Sequence, residues 1–206
     1  MGQRQSKGNG ASTPASGKPR LAEQISCCCF DLETTSLAAD FGIVLCAVIK
    51  PAGGKAVVFR GDSYPAWGEN RSNDSELVTD VVNELARYDI WVAHNGARFD
   101  VPYLRTRLMR WGLEPLVTRK LVDPVQLARN KLRLSFNGLS SVANHLGCNS
   151  KTDVEPQAWL RASLDGNSKA MDYIVQHCVE DVKTLEKVVT ALKAYSTAYN
   201  SYGSGF

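Results

Sequence analysis

The order of short apolar segments is the feature that most constrains the fold of this 206-residue chain. Five of them have the length of buried strands, with bounds at 25–31, 42–50, 55–59, 90–93 and 116–122. The sequence Pro51-Ala-Gly-Gly54 is a turn signal that predicts a hairpin between the second and third. The later strands alternate with helical patterns. We therefore expect an α/β fold in which a five-stranded mixed sheet is covered on both faces by helices.

Apolar residues at helical spacing predict six helices, at residues 74–87, 101–111, 125–131, 138–146, 156–162 and 168–194. In the last and longest helix, Ile174, Cys178 and Leu185 belong to one apolar stripe. Gly112 follows the second helix and predicts its end.

Composition suggests where the domain begins and ends. Residues 1–20 are rich in Gly, Ser, Lys and Pro, which predicts a disordered basic tail. We expect one domain over residues 21–196 and a flexible C-terminal tail over residues 197–206. The longest apolar run, Ile43–Ile49, is too short to span a membrane, and the N-terminus lacks the apolar core of a signal peptide. The six cysteines lack zinc-site spacing, so we expect buried thiols in a reducing, cytoplasmic compartment.

Positive charge is concentrated in one part of the chain. The net charge is +3, yet residues 98–133 contain nine Arg and Lys residues and only three acids. Such a stretch could follow the phosphate backbone of a nucleic acid. It could equally be the solvated face of a helix, because Arg105, Arg107 and Arg110 lie on an amphipathic helical pattern.

Asp31 and Glu33 close the first predicted strand. Side chains two residues apart on a strand point to the same face. This pair would lie at the carboxyl end of a strand, where α/β sheets usually hold ligands. Taken alone, the pair is also what an acidic turn after a strand looks like.

Two further motifs carry acids. Asp100 falls in the first turn of the helix after the fourth strand, near Asn95 and Phe99, whose amide and aromatic ring would suit an unpaired nucleotide. The helix dipole alone would also favour an acid there. His177 and Asp181 are four residues apart on the longest helix and share a face, which a solvated ion pair would equally explain.

Combined, the motifs place four carboxylates together: Asp31, Glu33, Asp100 and Asp181. Such a set could hold two Mg²⁺ or Mn²⁺ ions about 3.5–4 Å apart. Hard oxygen ligands favour these ions over zinc. Two such cations support phosphodiester hydrolysis by activating a water molecule and stabilising the leaving oxygen. His177 could accept the proton of the attacking water.

On these residues the chain resembles the DnaQ-like, or DEDD, 3′–5′ exonuclease superfamily over residues 25–194. Its three motifs are similar to Phe30-Asp31-Leu32-Glu33-Thr34-Thr35, Asn95-x-x-x-Phe99-Asp100 and Asp181-Val182-x-x-Leu185. The segments 92–96 and 137–143 look like the YprB-type branch and the exonuclease domains of family-B DNA polymerases.

The resemblance implies an RNase H-like three-layer α/β/α fold and release of nucleoside monophosphates from a single-stranded 3′ end. The substrate would be DNA, with RNA as the alternative. It implies that Asp31, Glu33 and Asp181 ligate one cation and that Asp31 with Asp100 holds the second. It also implies a terminal-nucleotide pocket lined by Thr34, Leu37, Asn95 and Phe99. The implied partner is a polymerase or a repair or replication factor.

The third motif departs from the family pattern, which has Tyr four residues or His five residues before the aspartate. Here His177 is four residues before Asp181, and Gln176 is five before it. Helix geometry favours His177, because a residue four positions away stays on the same face.

Other functions stay open at this point. One is a structure-specific endonuclease or ribonuclease on the same fold, and another is a non-catalytic nucleic-acid-binding accessory module. A third is a Cys–His hydrolase that uses Cys178 beside His177. Its geometry would be poor, because adjacent helix residues do not face each other.

Overall fold

The computed structural model describes residues 25–117, 119–148 and 154–200 of the protein. Its centre is a five-stranded sheet with the strand order β3-β2-β1-β4-β5. The strands are β1 (Cys27–Thr34), β2 (Val44–Pro51), β3 (Val57–Arg60), β4 (Ile90–Val92) and β5 (Lys120–Val122). β2 is antiparallel to both β1 and β3, whereas β1, β4 and β5 run parallel. This confirms the predicted α/β fold with a five-stranded mixed sheet.

Helices occupy both faces of the sheet. They are α1 (Pro65–Glu69), α2 (Ser75–Leu85), α3 (Asp100–Trp111), α4 (Pro124–Lys131), α5 (Leu139–His145), α6 (Pro156–Asp165) and α7 (Ser168–Asn200). All six predicted helices are present. α1 and the 3-10 turn at Gly61–Ser63 were not predicted, because elements this short show no measurable periodicity.

Strand β2 explains why helices cover both faces. Every residue from Val44 to Ile49 is fully buried, which is the pattern of a strand covered on both sides. On one face Val44, Ala47 and Ile49 pack in a core with residues of α2 and α3. On the other face Leu45, Cys46 and Val48 pack in a second core with residues of α6 and α7. The sheet is thus the middle layer of three.

A third apolar cluster ties the end of α7 to two shorter helices. It contains Ala128 of α4, Val142 and Ala143 of α5, and Val188 and Leu192 of α7. These contacts continue the apolar stripe of α7 beyond the sheet. They fix the rotation of the helix about its axis, and with it the face that carries His177 and Asp181.

The bounds of two strands differ from the prediction, with consequences for the site. β1 extends to Thr34, because it pairs with β2 along almost its whole length. Asp31 and Glu33 therefore lie inside the strand rather than closing it. β5 begins only at Lys120, and the preceding Leu116 packs in the core of α2 and α3. The parallel strand β4 ends at Val92, opposite Cys29, so β1 continues past it.

The predicted chain ends lie mostly outside the described residues. The predicted tail at residues 1–20 lies outside them, as do residues 201–206 of the predicted C-terminal tail, and α7 is described to Asn200. Within the described residues, none of the helices combines the length and the apolar character that a membrane-spanning segment needs.

Candidate active site

Strand β1 provides the first two acids of the site. Asp31 and Glu33 are both partly buried and lie on one face of the strand, as predicted from their spacing. The thiol of Cys178 on α7 lies 3.5 Å from both the Asp31 main-chain oxygen and Oδ2 of its side chain. Ligand-type atoms of Asp31, Glu33 and Cys178 all lie within 4.8 Å of one another.

Helix α7 brings the third motif to the same place. Nε2 of His177 is 3.6 Å from Oδ2 of Asp181 and 3.9 Å from Oε1 of Glu33. The three side chains therefore form a second cluster whose ligand-type atoms lie within 4.8 Å. Glu33 belongs to both clusters, so it links Asp31 on β1 to His177 and Asp181 on α7. The structure thus brings the first and third motifs together.

Asp100 joins the site from the start of α3. It is the first residue of that helix and is only 2% exposed. Main-chain N–H groups of Leu32 and of Asp100 itself donate to its carboxylate. Its Oδ1 atom is buried and has no hydrogen-bond partner within the described part of the chain. The Asp100 charge also acts on Asp31, which shows that the second motif faces the first.

The carboxylates of the site raise one another's pKa values. Burial, together with the charges of Asp100, Glu33 and Asp181, raises the pKa of Asp31 well above its usual range. Burial and the Asp181 charge raise the pKa of Glu33 to about 8, against the lowering effect of a hydrogen bond from Trp159. Burial raises the pKa of Asp100 to about 7. Crowded, buried carboxylates of this kind need a proton or a cation nearby.

These residues fit a divalent cation. The two clusters offer carboxylate oxygens of Asp31 and Glu33 on β1 and of Asp181 on α7. Hard cations such as Mg²⁺ and Mn²⁺ prefer oxygen ligands. The unpartnered buried Oδ1 of Asp100 gives the same indication, because a buried acceptor without a partner is costly.

The sulfur of Cys178 is not a competing nucleophile. Burial raises the pKa of this thiol, and its hydrogen bonds go to Asp31 rather than to a histidine. This contradicts the Cys–His hydrolase.

Trp159 is a site residue that sequence reasoning missed. It lies on α6, and its indole Nε1 donates a 3.2 Å hydrogen bond to Oε2 of Glu33. Its ring meets the His177 ring edge-on, with centroids 5.7 Å apart. Trp159 thus contacts two residues of the site from a third element. The sequence showed a tryptophan on an amphipathic helix, but not which part of the sheet that helix would cover.

Asp123 is a second missed residue, and it shapes the turn that leads to Asp100. One of its oxygens accepts from the main-chain N–H groups of Asn95 and Val125, and the other accepts from Ala97. Asn95 has a φ of 64°, an unusual left-handed conformation for a residue other than glycine. Asp123 therefore holds a strained turn after β4 while it caps α4.

The predicted terminal-nucleotide residues occupy the loops around the acids. Thr34 is partly buried, and its hydroxyl donates to the Ser36 carbonyl. Leu37 is 87% exposed in the connection from β1 to β2. Phe99 is partly buried, with its ring centroid 5.4 Å from that of Tyr103.

The basic stretch does not form one surface, and neither of its two predicted interpretations holds for Arg107. Arg107 is 3% exposed and forms a buried ion pair with Asp74, so its charge is used inside the fold. Arg119 donates to the main-chain oxygen of Ala86. The exposed basic residues that stay available are Arg98, Arg105, Arg110, Lys120, Arg129 and Arg133.

Comparison with known proteins gives one family match and two sequence relatives. The family model of the RNase H superfamily matches residues 28–193. A PolC-type DNA polymerase III of Ureaplasma parvum is 31% identical over 119 residues, which is 48% of this chain and 8% of that protein. A DNA polymerase of Methanocaldococcus jannaschii is 32% identical over 62 residues, 30% of this chain and 4% of that protein. The chain thus spans less than a tenth of either relative.

Among solved structures, the family B DNA polymerase from the hyperthermophilic archaeon Pyrobaculum calidifontis matches with a TM-score of 0.65. The match covers 85% of this chain and 25% of that polymerase, at 16% sequence identity. At this identity the likeness concerns the fold alone.

Proposed function

Because this chain belongs to the RNase H superfamily, we propose that it is a metal-dependent 3′–5′ exonuclease that releases nucleoside monophosphates from a single-stranded 3′ end. The observation that carries the proposal is that Asp31 and Glu33 of β1 and Asp181 of α7 lie in two clusters that share Glu33. The charge of Asp100, at the start of α3, acts on Asp31, and its buried Oδ1 has no hydrogen-bond partner among the described residues. DNA is the first substrate to test, because both sequence relatives are DNA polymerases. For the same reason, a polymerase or another replication or repair protein is the partner class that we propose.

Asp31, Glu33 and Asp181 would hold one divalent cation, and Asp31 with Asp100 would hold a second. When bound, such a pair lowers the pKa of an attacking water and stabilises the leaving 3′ oxygen. The protein's part is to keep the carboxylates in place. Trp159 holds Glu33 from α6, and Cys178 holds Asp31 from α7.

In this proposal, His177 would accept the proton of the attacking water. Its Nε2 atom faces Glu33 and Asp181, and its ring is held by the edge of Trp159. Its Nδ1 atom is buried and has no hydrogen-bond partner among the described residues. The ring is therefore fixed by packing, with one nitrogen directed at the acids. Thr34, Leu37, Asn95 and Phe99 would contact the terminal nucleotide.

The test is a nuclease assay on 5′-labelled single-stranded and duplex DNA and RNA, with Mg²⁺, Mn²⁺ or EDTA. We expect a ladder that shortens from the 3′ end with either metal and no reaction in EDTA. Internal cuts on a circular single strand would favour the endonuclease instead. Binding without cleavage under every metal condition would favour the accessory module.

A second arm of the same assay addresses His177. In single-turnover reactions, His177→Phe should cleave about 10²-fold or more slowly, the usual loss for a general base. Equal rates for this variant and the wild type would overturn the role of His177 and leave the metal proposal intact.

A further inference from the structure

A cavity of about 430 Å³ lies at the end of α3 that is far from Asp100, and it takes no part in the chemistry proposed above. Its volume is in the range of sites that hold a small molecule or the side chains of a larger partner. Its lining comes from the second half of the helix and the segment that follows: Arg105, Leu108, Met109, Gly112, Leu113, Pro115 and Leu116.

The topology places this cavity away from the carboxylates. α3 connects the parallel strands β4 and β5, so the helix runs back from their carboxyl ends towards their amino ends. Asp100 begins the helix, and Met109 follows nine residues later, which is about 14 Å along the helix axis. A partner seated in the cavity would therefore leave the carboxylates open to substrate.

The way α3 ends explains why a cavity forms here. Gly112 follows the helix with a φ of 64°, and the main-chain N–H of Leu113 donates to the Leu108 carbonyl. The chain thereby turns, and Leu116 joins Leu108 in the first core. The cavity is lined from both sides of this turn, and buried leucines form part of its wall.

The apolar side chains at the cavity are only partly covered by the protein. Met109 is 83% exposed, and Val117, which directly follows the lining segment, is 53% exposed. Single exposed apolar residues are common, but a group of them beside an apolar cavity is typical of an interaction surface. The unbranched methionine side chain also adapts easily to the shape of a partner.

The charge at this cavity is positive. Arg105 is the charged residue in the described lining, and Arg110 is exposed one position after Met109. Within the described ranges, neither arginine forms an ion pair with an acid. The cavity thus offers apolar surface together with a cation that lacks a counter-charge from its own fold. A partner with aliphatic side chains and carboxylates complements both features.

The lining favours a protein partner over a nucleic acid. Bases stack on aromatic rings, and the described lining contains none. The ring of the neighbouring Trp111 is already in contact with arginines, because the guanidinium groups of Arg107 and Arg110 lie 5.7 Å and 5.3 Å from its centroid. Leucine, methionine and proline side chains instead form the kind of groove that accepts the apolar face of a peptide.

We propose that this cavity is a docking site for an acidic segment of a partner protein, with an aliphatic side chain inserted beside Met109 and a carboxylate paired with Arg105. The aliphatic side chain supplies the apolar burial, and the carboxylate selects the partner and speeds its association. This site does not depend on the nuclease chemistry, so either proposal can hold without the other.

The probe is a synthetic peptide of glutamate and leucine with the leucines at helical spacing, added to the full chain with isotope-labelled methionine methyl groups. The chain has three methionines, Met1, Met109 and Met171. Met171 is 1% exposed in the second core, so its NMR signal reports folding, whereas the Met109 signal reports the cavity. We expect the peptide to shift the Met109 signal and leave that of Met171 in place. Met109→Leu assigns the signal by removing it.

Two reference peptides separate the two parts of the recognition. One replaces leucine by serine and so removes the apolar side chains, and the other replaces glutamate by lysine and so reverses the charge. Each should bind on the order of tenfold more weakly than the glutamate–leucine peptide. Equal affinities for the three peptides would overturn the proposal.

A charge exchange tests Arg105 directly. Arg105→Glu should weaken binding of the glutamate–leucine peptide on the order of tenfold and strengthen binding of the lysine–leucine peptide. Arg129→Glu is the matched control, because Arg129 is an exposed arginine of α4, which follows the carboxyl end of β5. It should bind both peptides like the wild type. Equal effects of the two substitutions would show general charge attraction and overturn the site.

A second pair of variants tests the apolar part. Met109→Glu places an acid where the aliphatic side chain docks and should weaken binding of the glutamate–leucine peptide on the order of tenfold. Leu164→Glu makes a similar change at a leucine of α6 that is 67% exposed, and it should leave the affinity unchanged. Equal affinities of these two variants would contradict the role of Met109.

Other occupants of the cavity give different results. If single-stranded oligothymidylate shifts the Met109 signal and displaces the peptide, the surface binds nucleic acid. If the signal shifts when the protein alone is concentrated, a second copy is the occupant. Either result overturns the docking of a partner segment. Peptide binding is measured without nucleic acid or metal, so a failed cleavage assay overturns the exonuclease function and leaves the docking site standing.

Discussion

Two acidic centres of this protein, one fully buried and one partly buried, have opposite surroundings. Asp74 is 1% exposed and accepts from Arg107, from the indole of Trp111 at 2.7 Å and from the main-chain N–H of Val44 at 2.8 Å. The Arg107 guanidinium donates to both carboxylate oxygens, at distances of 2.8–3.2 Å. The charge and the hydrogen-bonding capacity of Asp74 are therefore satisfied by the protein itself.

The second centre is formed by Asp31, Glu33, Asp100 and Asp181. In this centre, no lysine or arginine of the part of the chain that the structure describes forms an ion pair with Asp31, Glu33 or Asp100. The donors that reach Asp31 and Glu33 are the neutral groups of Cys178 and Trp159, and the strongest charges acting on these acids are those of one another. A buried carboxylate paired with an arginine stabilises the fold, whereas acids that raise one another's pKa, beside a buried Asp100 oxygen without a partner among the described residues, indicate the site of a bound cation. Each prediction below tests this difference.

The largest effect should come from removing charge at each centre in turn. We expect Asp31→Asn to lower nuclease activity on the order of 10³-fold or more, because it removes a ligand of both proposed cations. Its metal-free form should be at least as stable as the wild type, because the substitution relieves repulsion. The measurements are single-turnover cleavage and urea unfolding in EDTA.

Asp74→Asn is the matched control for that experiment. It makes the same chemical change at the satisfied centre, and it should lower the free energy of unfolding while the folded fraction keeps its activity. If Asp31→Asn destabilises the metal-free protein as much as Asp74→Asn does, the contrast between the two centres is wrong.

The next largest effect concerns Arg107. We expect Arg107→Met to lower the free energy of unfolding by about 3–5 kcal/mol, because it leaves the Asp74 carboxylate buried without its cation. The double variant Asp74→Asn with Arg107→Met should recover part of this loss, which a double-mutant cycle in urea would measure. A loss no greater than for an exposed arginine such as Arg87 would contradict the buried ion pair.

Arg107 also shows how far the sequence could lead. Periodicity predicted the sheet and the six longer helices, since each needs only a local pattern of apolar residues. The spacing of Asp31 with Glu33 predicted their common face, which the structure confirms. In contrast, Arg107 was grouped with solvent-facing or phosphate-binding residues. Its partner Asp74 lies at the start of a different helix, α2, so the local pattern around Arg107 does not show the pair. Pairing across elements depends on packing that no local pattern contains.

Trp159 was missed for the same reason. Its contacts with Glu33 and His177 join residues far apart in the chain, and they depend on how α6 is placed against α7. The apolar pattern of α6 predicts where the helix forms but not which of its residues contacts the acids. The four carboxylates were predictable because spacing, strand alternation and resemblance all pointed to them. Their supporting residues had none of these signals.

The third prediction is a pH effect limited to the metal-free protein. The pKa values of Glu33 and Asp100 are raised to about 8 and about 7, so the folded state keeps protons that the unfolded state loses near pH 4. Stability should therefore fall as pH rises from about 5 to about 8 in EDTA. Each retained proton contributes about 1.4 kcal/mol per pH unit within that window.

Saturating Mg²⁺ should reverse this trend, because the cation replaces the protons. Thermal unfolding at pH 5.5 and pH 8, with Mg²⁺ or EDTA, measures both effects. At pH 8 the metal should raise the Tm by several degrees, and at pH 5.5 by much less. Each kcal/mol added to the free energy of unfolding corresponds to about 2–4 °C. A Tm that rises with pH in EDTA would contradict the account of the acidic centre.

The smallest effect should come from Trp159. Its neutral indole donates to Glu33, whereas the charged Arg107 donates to Asp74. Trp159→Phe removes the hydrogen bond to Glu33 but keeps an aromatic ring against His177. That bond lowers the pKa of Glu33, so its loss should raise this pKa and shift metal binding to higher pH. We expect Mn²⁺ affinity near neutral pH to fall about tenfold, the usual cost of losing a residue that orients a metal ligand.

Calorimetric titration with Mn²⁺ from pH 6 to pH 8.5 measures this effect. Trp111→Phe is the control, since that indole donates to Asp74 instead. Trp111→Phe should leave Mn²⁺ affinity unchanged and lower the free energy of unfolding. If both variants changed metal affinity equally, Trp159 would serve only the packing of α6 against α7.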